Sequence, residues 1–527
     1  MIRVHQVKCT DPKDIEGALL KKLKMSKQDL LSWSVHRKSV DARKQKVLFS
    51  FIIDAEVRHP QKYLSNPDVR IAPDEKFTYT PKGNVPLSNR PVVVGFGPGG
   101  MFAALLLAQM GYCPLVLERG SEIDKRTEDV HRFWQEGILD PQSNVQYGMG
   151  GAGAFSDGKL TTRSKDLKAR KVFEELVRFG ASPEILYQQH PHIGTDGFVK
   201  IVKALKQEIE HLGGQFLFDA QFDNMRVKDN RIVALHIQDH GWIDCQALII
   251  AMGHSASDTI RMLNEKGLAM ESKPFAIGVR IEHDQTYINQ AMLKDRANDP
   301  TLIPARYQVT QTVSTNKGVY SFCMCPGGYV VAASSEPNTV VVNGMSYSDR
   351  SAENANAALL VQVDQSDTGP GLFAGLDYQE QLEHAAYDLT HSYRAPMQKA
   401  KDFVQGVMTT RFDGIQPTYP LGHVFIDFNT FLPPVIAKSL KEALLAFEQK
   451  IPGFIDDAIL TGVETRSSSS IRVLRDKTSL QATVQGVYPC GEGAGYSGGI
   501  TTSAIDGLRC AMALMDHFDK PSLQSVE

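Results

Sequence analysis

Gly95-x-Gly97-x-x-Gly100 follows the apolar run Pro91–Val94 and opens the helical stretch Gly100–Met110. In that strand–turn–helix setting three glycines bind a dinucleotide. Gly95 permits the tight turn, Gly97 lets the backbone approach a pyrophosphate, and Gly100 lets helix and strand pack closely. The turn around Pro98 and Gly99 then presents helix N–H groups and a positive dipole end to the phosphates. Glu118 ends the next strand, Leu115–Glu118, where a carboxylate can accept hydrogen bonds from both ribose hydroxyls. An unrelated glycine turn would have no reason to carry that acid.

This turn is one of three glycine-rich windows. Fifteen of the chain's 42 glycines fall in them: four in 95–100, five in 148–158 and six in 486–499. Glycine gathers where a backbone bends sharply or approaches something closely. In the third window, GVYPCGEGAGYSGGITTSAIDG (486–507), Val487–Pro489 reads as a strand, Gly491-Glu492 as a turn and Ile500–Met515 as a helix. It resembles the C-terminal flavin motif of the glutathione-reductase-like FAD fold. A plain NAD dehydrogenase has no use for so distant a segment. Between the outer windows, Ala247–Gly253 is an apolar strand ending in glycine, after a strand–turn–strand pattern around Gln215–Gln238.

Residues 91–165, 190–255 and 455–517 resemble uncharacterised bacterial FAD-dependent dehydrogenases, oxidoreductases of the glutathione-reductase-like FAD-binding class. HPHIGTD (190–196), KPFAIGVRIEH (273–283), VVNGMSYSDRSAENANAALLV (341–361) and VETRSSSS (463–470) look like that group too. The resemblance implies FAD as cofactor, with Arg119 beside Glu118 at the adenosine end. It implies that Gly491 and Glu492 meet the ribityl chain, where Asp is commoner than Glu. It places the helix end at Gly498, Gly499 and Ile500 on the pyrimidine side, stabilising negative charge on the reduced ring. Gly150, Gly151 and Ser156 would touch the cofactor through backbone N–H groups and a hydroxyl. Gly253 would close the first half of the nucleotide domain, with Met252 where Thr is usual, and Phe222 would sit beside the adenine. The implied activity is hydride exchange between flavin N5 and an unidentified small molecule.

Two other motifs are weaker. Gly153-x4-Gly158-Lys159 nearly spells a P-loop, but Leu160 cannot ligate Mg²⁺ and no clear strand leads into it. Gly495-Tyr-Ser497-Gly-Gly499 matches a nucleophile elbow, yet the flavin motif explains the same glycines. On the substrate side, Arg280 and Arg466 could clamp an anion or form structural ion pairs. His192 and His254 could move protons or fill turns. Cys323-x-Cys325, with both side chains on one strand face, fits core packing better than a redox pair, and Cys490 reads as a small buried residue. No metal-ligand cluster has usable spacing.

The elements that position these groups divide unequally. With 527 residues and 58.2 kDa, two to four domains are expected at roughly 150 residues each. Hydrophobic residues at 42% and charged residues at 22% exclude a disordered, collagen-like or coiled-coil chain. Residues 1–90 carry 18 Lys+Arg against 10 Asp+Glu, although the whole chain has a net charge of −3. That asymmetry marks a basic α+β domain, 1–85. Ile2–Lys8, Ser32–Lys38 and Lys46–Glu56 read as its strands and Asp14–Met25 as its helix, with Ile15, Ala18, Leu19 and Leu23 on one face. Ser26-x-x-Asp29 could cap a second helix, and 57–89 reads as a linker. The basic excess admits RNA docking as an alternative function. No aromatic interleaving or RNA-binding motif accompanies it, and a solvated face accounts for it. A flavin-binding regulator without turnover is a third class.

The fold expected is α/β. A Rossmann-like FAD-binding domain is split into 86–270 and 456–527 around an inserted mixed α+β substrate domain, 271–455. In the insertion Tyr307–Val313, Gly318–Met324, Gly328–Ser334 and Asn338–Asn343 read as strands at hairpin spacing, followed by helices near Tyr378–Gln405 and Val435–Lys450. No second GxGxxG follows Gly253, so NAD(P)H as a transient electron donor would bind without a Rossmann fingerprint. Seven cysteines with irregular spacing suit a reducing cytosol. The start MIRVHQVKCTDPKD has no apolar secretory region, and no apolar stretch approaches the roughly 20 residues of a membrane span. A soluble cytoplasmic protein acting on a small molecule is expected.

Overall fold

The structure, a computed structural model, describes residues 1–41, 47–162, 166–188, 191–300 and 302–522. Lys46, Lys165 and His190, which begin or end segments singled out above, lie outside the described residues. The chain forms two compact units, Met1–Tyr79 with Lys159–His192, and Thr80–Gly158 with Ile193–Glu527.

The first unit is built on a four-stranded antiparallel sheet in the order Leu30–Asp41, Leu48–Val57, Ile2–Cys9, Val69–Ile71. Phe49, Phe51, Ile53 and Ala55 alternate inward and, with Leu19 and Leu23 of the helix Ile15–Leu23, form its core. Two expectations are corrected here. The linker starts late, because Val69–Ile71 pairs with Ile2–Val4. The segment 159–192, expected in the nucleotide domain, belongs to this unit. Its helix Leu167–Arg178 brings Arg170 to 3.3 Å from Glu75, and Lys38 N donates to Tyr187 O. The second capped helix is only a short turn, Lys27–Asp29, because the Ser26 hydroxyl bonds the Asp29 carboxylate instead of a backbone N–H.

The second unit contains a five-stranded parallel sheet in the order Val487–Pro489, Leu248–Ile250, Val92–Val94, Leu115–Leu117, Gln215–Leu217. The strand before the first glycine turn lies at its centre, as the Rossmann-like reading requires. The strands Val92–Val94, Leu248–Ile250 and Val487–Pro489 are buried on both faces, the usual condition of parallel strands. The helices Pro98–Gln109 and Ile500–His517 pack against each other. A Cβ on Gly507 would lie 2.0 Å from Gly99 O, so the crossing requires glycine there.

The inserted part of this unit is a seven-stranded sheet: Thr310–Thr312, Gly318–Cys325, Asn354–Val363, Phe275–Asp284, Ile459–Glu464, Ala395–Lys399, His423–Phe425. It runs past the expected boundary at 455, since Ile459–Glu464 pairs with Phe275–Asp284. Tyr329–Ala332 and Val342–Met345 form a separate hairpin. The helix expected over Tyr378–Gln405 is broken. It ends at Asp388, and the strand Ala395–Lys399 carries Pro396, which lacks the N–H a helix needs. The helix Pro434–Lys450 is close to the expectation.

Candidate functional site

The three glycine windows, separate in sequence, meet in the second unit. Gly95 ends the central strand at φ +90°, a conformation that favours glycine. A Cβ on Gly100 would lie 1.8 Å from Gly95 O, so both glycines are demanded by the fold itself. Gly97 differs. Its backbone is extended, and a Cβ there would meet only Gly151 Cα, at an ordinary 3.5 Å. Gly498 likewise has nothing within 4 Å of such a Cβ, and Gly499 only the tip of Thr502 at 3.9 Å. The fold does not explain these three glycines, whereas a ligand lying close against the backbone does. Gly99 faces the third window, 3.3 Å from Cys490 Sγ by the same measure, and Gly493 packs on Gly253 O.

The carboxylate of Glu118 holds the first two windows together. Its Oε2 accepts from Phe96 N at 2.7 Å, and its Oε1 from Gly120 N at 3.1 Å and Gly148 N at 3.0 Å. Three of roughly four acceptor positions are filled. Room remains for one ribose hydroxyl, not the two expected. Arg119 donates to both Asp258 oxygens at 2.8 and 2.7 Å and to Thr259, and lies over the Tyr147 ring. Gly150 N bonds Phe96 O, again joining first and second windows. The Ser156 hydroxyl donates to Gly153 O and accepts from Gly158 N, so it shapes its own loop. Phe222 is 3% exposed in the core beneath the sheet and has backbone, rather than an open ring face, to offer an adenine.

In the third window Gly491 N donates to Asp506, which Arg475 grips with both terminal nitrogens. Cys490, Asp506 and Cys510 lie within 4.8 Å of one another, a grouping that spacing did not suggest. Arg475 also donates to Cys510 Sγ and so fills the place a cation would take. Glu492 Oε1 is 3.4 Å from His254 Nδ1. The His254 ring is 10% exposed, and its Nε2 has no hydrogen-bond partner among the described residues. Lys273 carries an ammonium made more acidic by burial and by Arg472, with Glu492 opposing. The helix Ile500–His517 starts at Gly498 and Gly499, so its first N–H groups border the open side of those glycines.

Two substrate-side expectations separate. Arg280 is 0% exposed and held by Glu464, Asn343, Asn356 and Cys323 O, so it is not available as a clamp. Arg466 pairs with Glu383 at 2.6 and 2.8 Å, while its Nη1 is buried without a hydrogen-bond partner among the described residues. Cys323 and Cys325 do not share a face, because a bulge between Phe322 and Cys325 exposes the first and buries the second. His192 bridges to Lys159 in the first unit. The elbow serine, Ser497, bonds Ser503 at 2.7 Å, not a histidine. Among the described residues no strand leads into Gly153, so the P-loop likeness lacks its framework.

Arg126 was missed. It lies on the helix Ile123–Glu136 on the same face as Ile123, Val130 and Phe133, and a charge on a buried stripe was its one signal.

Residues 274–467 match a family described as FAD-dependent protein, C-terminal domain-like. An "Uncharacterized protein" of Clostridium beijerinckii is 41% identical over 531 residues, covering 99% of both chains. The chain belongs to this family of FAD-dependent proteins. Residues 1–56 of the FAD-dependent protein match a family described as a domain of unknown function. L-proline dehydrogenase from P. horikoshii has a TM-score of 0.32 to it at 11% identity, covering 81% of this chain and 93% of the other. Glycine oxidase from Geobacillus kaustophilus has a TM-score of 0.36 at 12% identity, covering 81% and 95%. Likeness at that level carries no argument about substrate.

Proposed function

We propose that this FAD-dependent protein is an oxidoreductase that exchanges hydride between flavin N5 and a small-molecule substrate. The observation that carries the reading is the cradle at Gly97, Gly498 and Gly499, where the backbone lies open and no side chain of the fold needs the space. Bound FAD supplies the two-electron chemistry, and the chain binds, orients and tunes it. Gly97 and Gly151 flank the diphosphate, and Glu118 takes one ribose hydroxyl. Glu492, oriented by His254, takes the ribityl chain, and the helix end at Gly499 and Ile500 stabilises negative charge on the reduced ring. Arg466 Nη1 is the cation offered to an anionic substrate. NAD(P)H as transient donor would bind without a second fingerprint.

The seven free cysteines favour a reducing cytoplasm. No helix of the described residues is long and apolar enough to cross a membrane.

The test is the visible spectrum of the purified protein, followed by anaerobic reduction with NADH or NADPH. A flavin spectrum, native or after reconstitution with FAD, is expected. A colourless protein that cannot be reconstituted overturns the reading.

A further inference from the structure

The three glycine windows contain no lysine or arginine. A diphosphate held there by backbone alone would lack a full counter-charge. Arg119, the guanidinium next to Glu118, is committed to Asp258. Arg126 is the exception. It is 0% exposed and makes five hydrogen bonds, all to backbone carbonyls of the middle loop. Nε donates to Asn144 O at 2.9 Å and Nη2 to Val145 O at 2.9 Å. Nη1 reaches Gly148 O at 3.2 Å, Met149 O at 2.9 Å and Gly151 O at 2.9 Å. The guanidinium also packs on the Phe155 ring. Among the described residues no carboxylate is hydrogen-bonded to it, and Glu118 opposes the effect of burial only at a distance. Burial lowers its pKa to about 10, so it stays charged at neutral pH. A buried cation without an ion-pair partner is costly unless something compensates.

The carbonyl of Gly151 turns toward Arg126. In a trans peptide the N–H of Ala152 must then point the opposite way. That peptide lies against Gly97. Positive charge behind the loop thus polarises the Gly151–Ala152 peptide beside the cradle.

We propose that Arg126 is the positioning residue for the FAD diphosphate, fixing the loop 144–151 and supplying counter-charge through the Gly151–Ala152 peptide. The inference rests on the reading that Gly97 and Gly151 flank the diphosphate.

The test titrates full-length apoprotein with FAD, with ADP, which keeps the diphosphate, and with riboflavin, which lacks it. The proteins are wild type, Arg126→Lys, Arg126→Met and Gly97→Val. Arg126→Met is expected to weaken FAD and ADP by about tenfold or more and riboflavin by less than about threefold, with Arg126→Lys in between. Raising salt should weaken ADP binding to wild type more than to Arg126→Met. If Arg126→Met does not fold, Arg126→Lys carries the comparison. Equal losses for ADP and riboflavin would show a loop support without electrostatic selectivity and overturn the proposal, as would unchanged ADP affinity. Unchanged ADP affinity in Gly97→Val would instead overturn the placement of the diphosphate, whatever Arg126 does.

Discussion

Gly97 and Gly151 face each other at the distance of a single contact. A Cβ on Gly97 would stand 3.5 Å from Gly151 Cα, and one on Gly151 only 2.7 Å from Gly97 Cα. The two turns come from different windows, yet each limits what the other may carry. Nothing else among the described residues lies within 4 Å of that Gly97 Cβ position.

Gly97 and Gly100 should therefore respond oppositely to substitution. Gly97→Val meets no fold atom closely at Cβ, so apoprotein stability should fall by less than about 1 kcal/mol. FAD retention should be lost, because the branched side chain fills the space beyond that Cβ position. Gly100→Ala drives a methyl into Gly95 O and should cost about 3 kcal/mol of apoprotein stability. Urea unfolding of the apoproteins with flavin content of the purified proteins separates the two. Unchanged flavin content in Gly97→Val would refute this placement.

Glu118 makes a different kind of link. Its carboxylate accepts three backbone N–H groups from turns at Phe96, Gly120 and Gly148. Glu118→Gln keeps the size but turns an amide N–H₂ toward one of those donors. A buried donor facing a donor costs about 1–3 kcal/mol. Both apoprotein stability and FAD affinity should drop, unlike the selective loss in Gly97→Val. Urea midpoints and FAD titrations of the variant test this, and unchanged midpoints would show the three bonds to be dispensable.

The convergence of the windows was legible because glycine reports backbone geometry, and backbone geometry is what a dinucleotide site demands. Arg126 was hidden because its partners are carbonyl oxygens, which every residue carries. The strand Asn354–Val363 escaped because it is buried on both faces and shows no alternation. Pro396 did signal the break in the expected helix, whereas the grouping of 159–192 with the first unit rests on long-range contacts that leave no periodic trace. Arg280 and Arg466 looked alike in sequence, and only their partners distinguish them.

His283 should contribute a defined slope to acid stability. Burial lowers its pKa from 6.5 to about 4, and its Nε2–H donates to Phe454 O at 2.8 Å. The unfolded chain takes up this proton first on acidification. The contribution is therefore complete above about pH 6.5 and shrinks as pH falls toward about 4, by roughly 3 kcal/mol in all. His283→Gln, which keeps a donor, should be less stable at pH 7 but lose less between pH 7 and 4.5. Urea unfolding of both proteins across that range measures the difference. Parallel curves would mean that His283 titrates alike in both states.

Arg280 and Glu464 form a buried ion pair, with Nε 2.5 Å from Oε2, at the junction of the strands Phe275–Asp284 and Ile459–Glu464. Gly344 packs against the guanidinium so closely that a Cβ there would stand 2.6 Å from Nη1. Arg280→Met leaves Glu464 buried and unpaired and should cost about 3–5 kcal/mol. Removing both charges in Arg280→Met with Glu464→Leu should restore much of that loss, since a buried pair contributes little net over apolar residues of similar volume. FAD affinity of the folded fraction should stay within about twofold, because no glycine window touches Arg280. A double variant as unstable as Arg280→Met alone would show that the hydrogen bonds to Asn343, Asn356 and Cys323 O, rather than the ion pair, hold these strands.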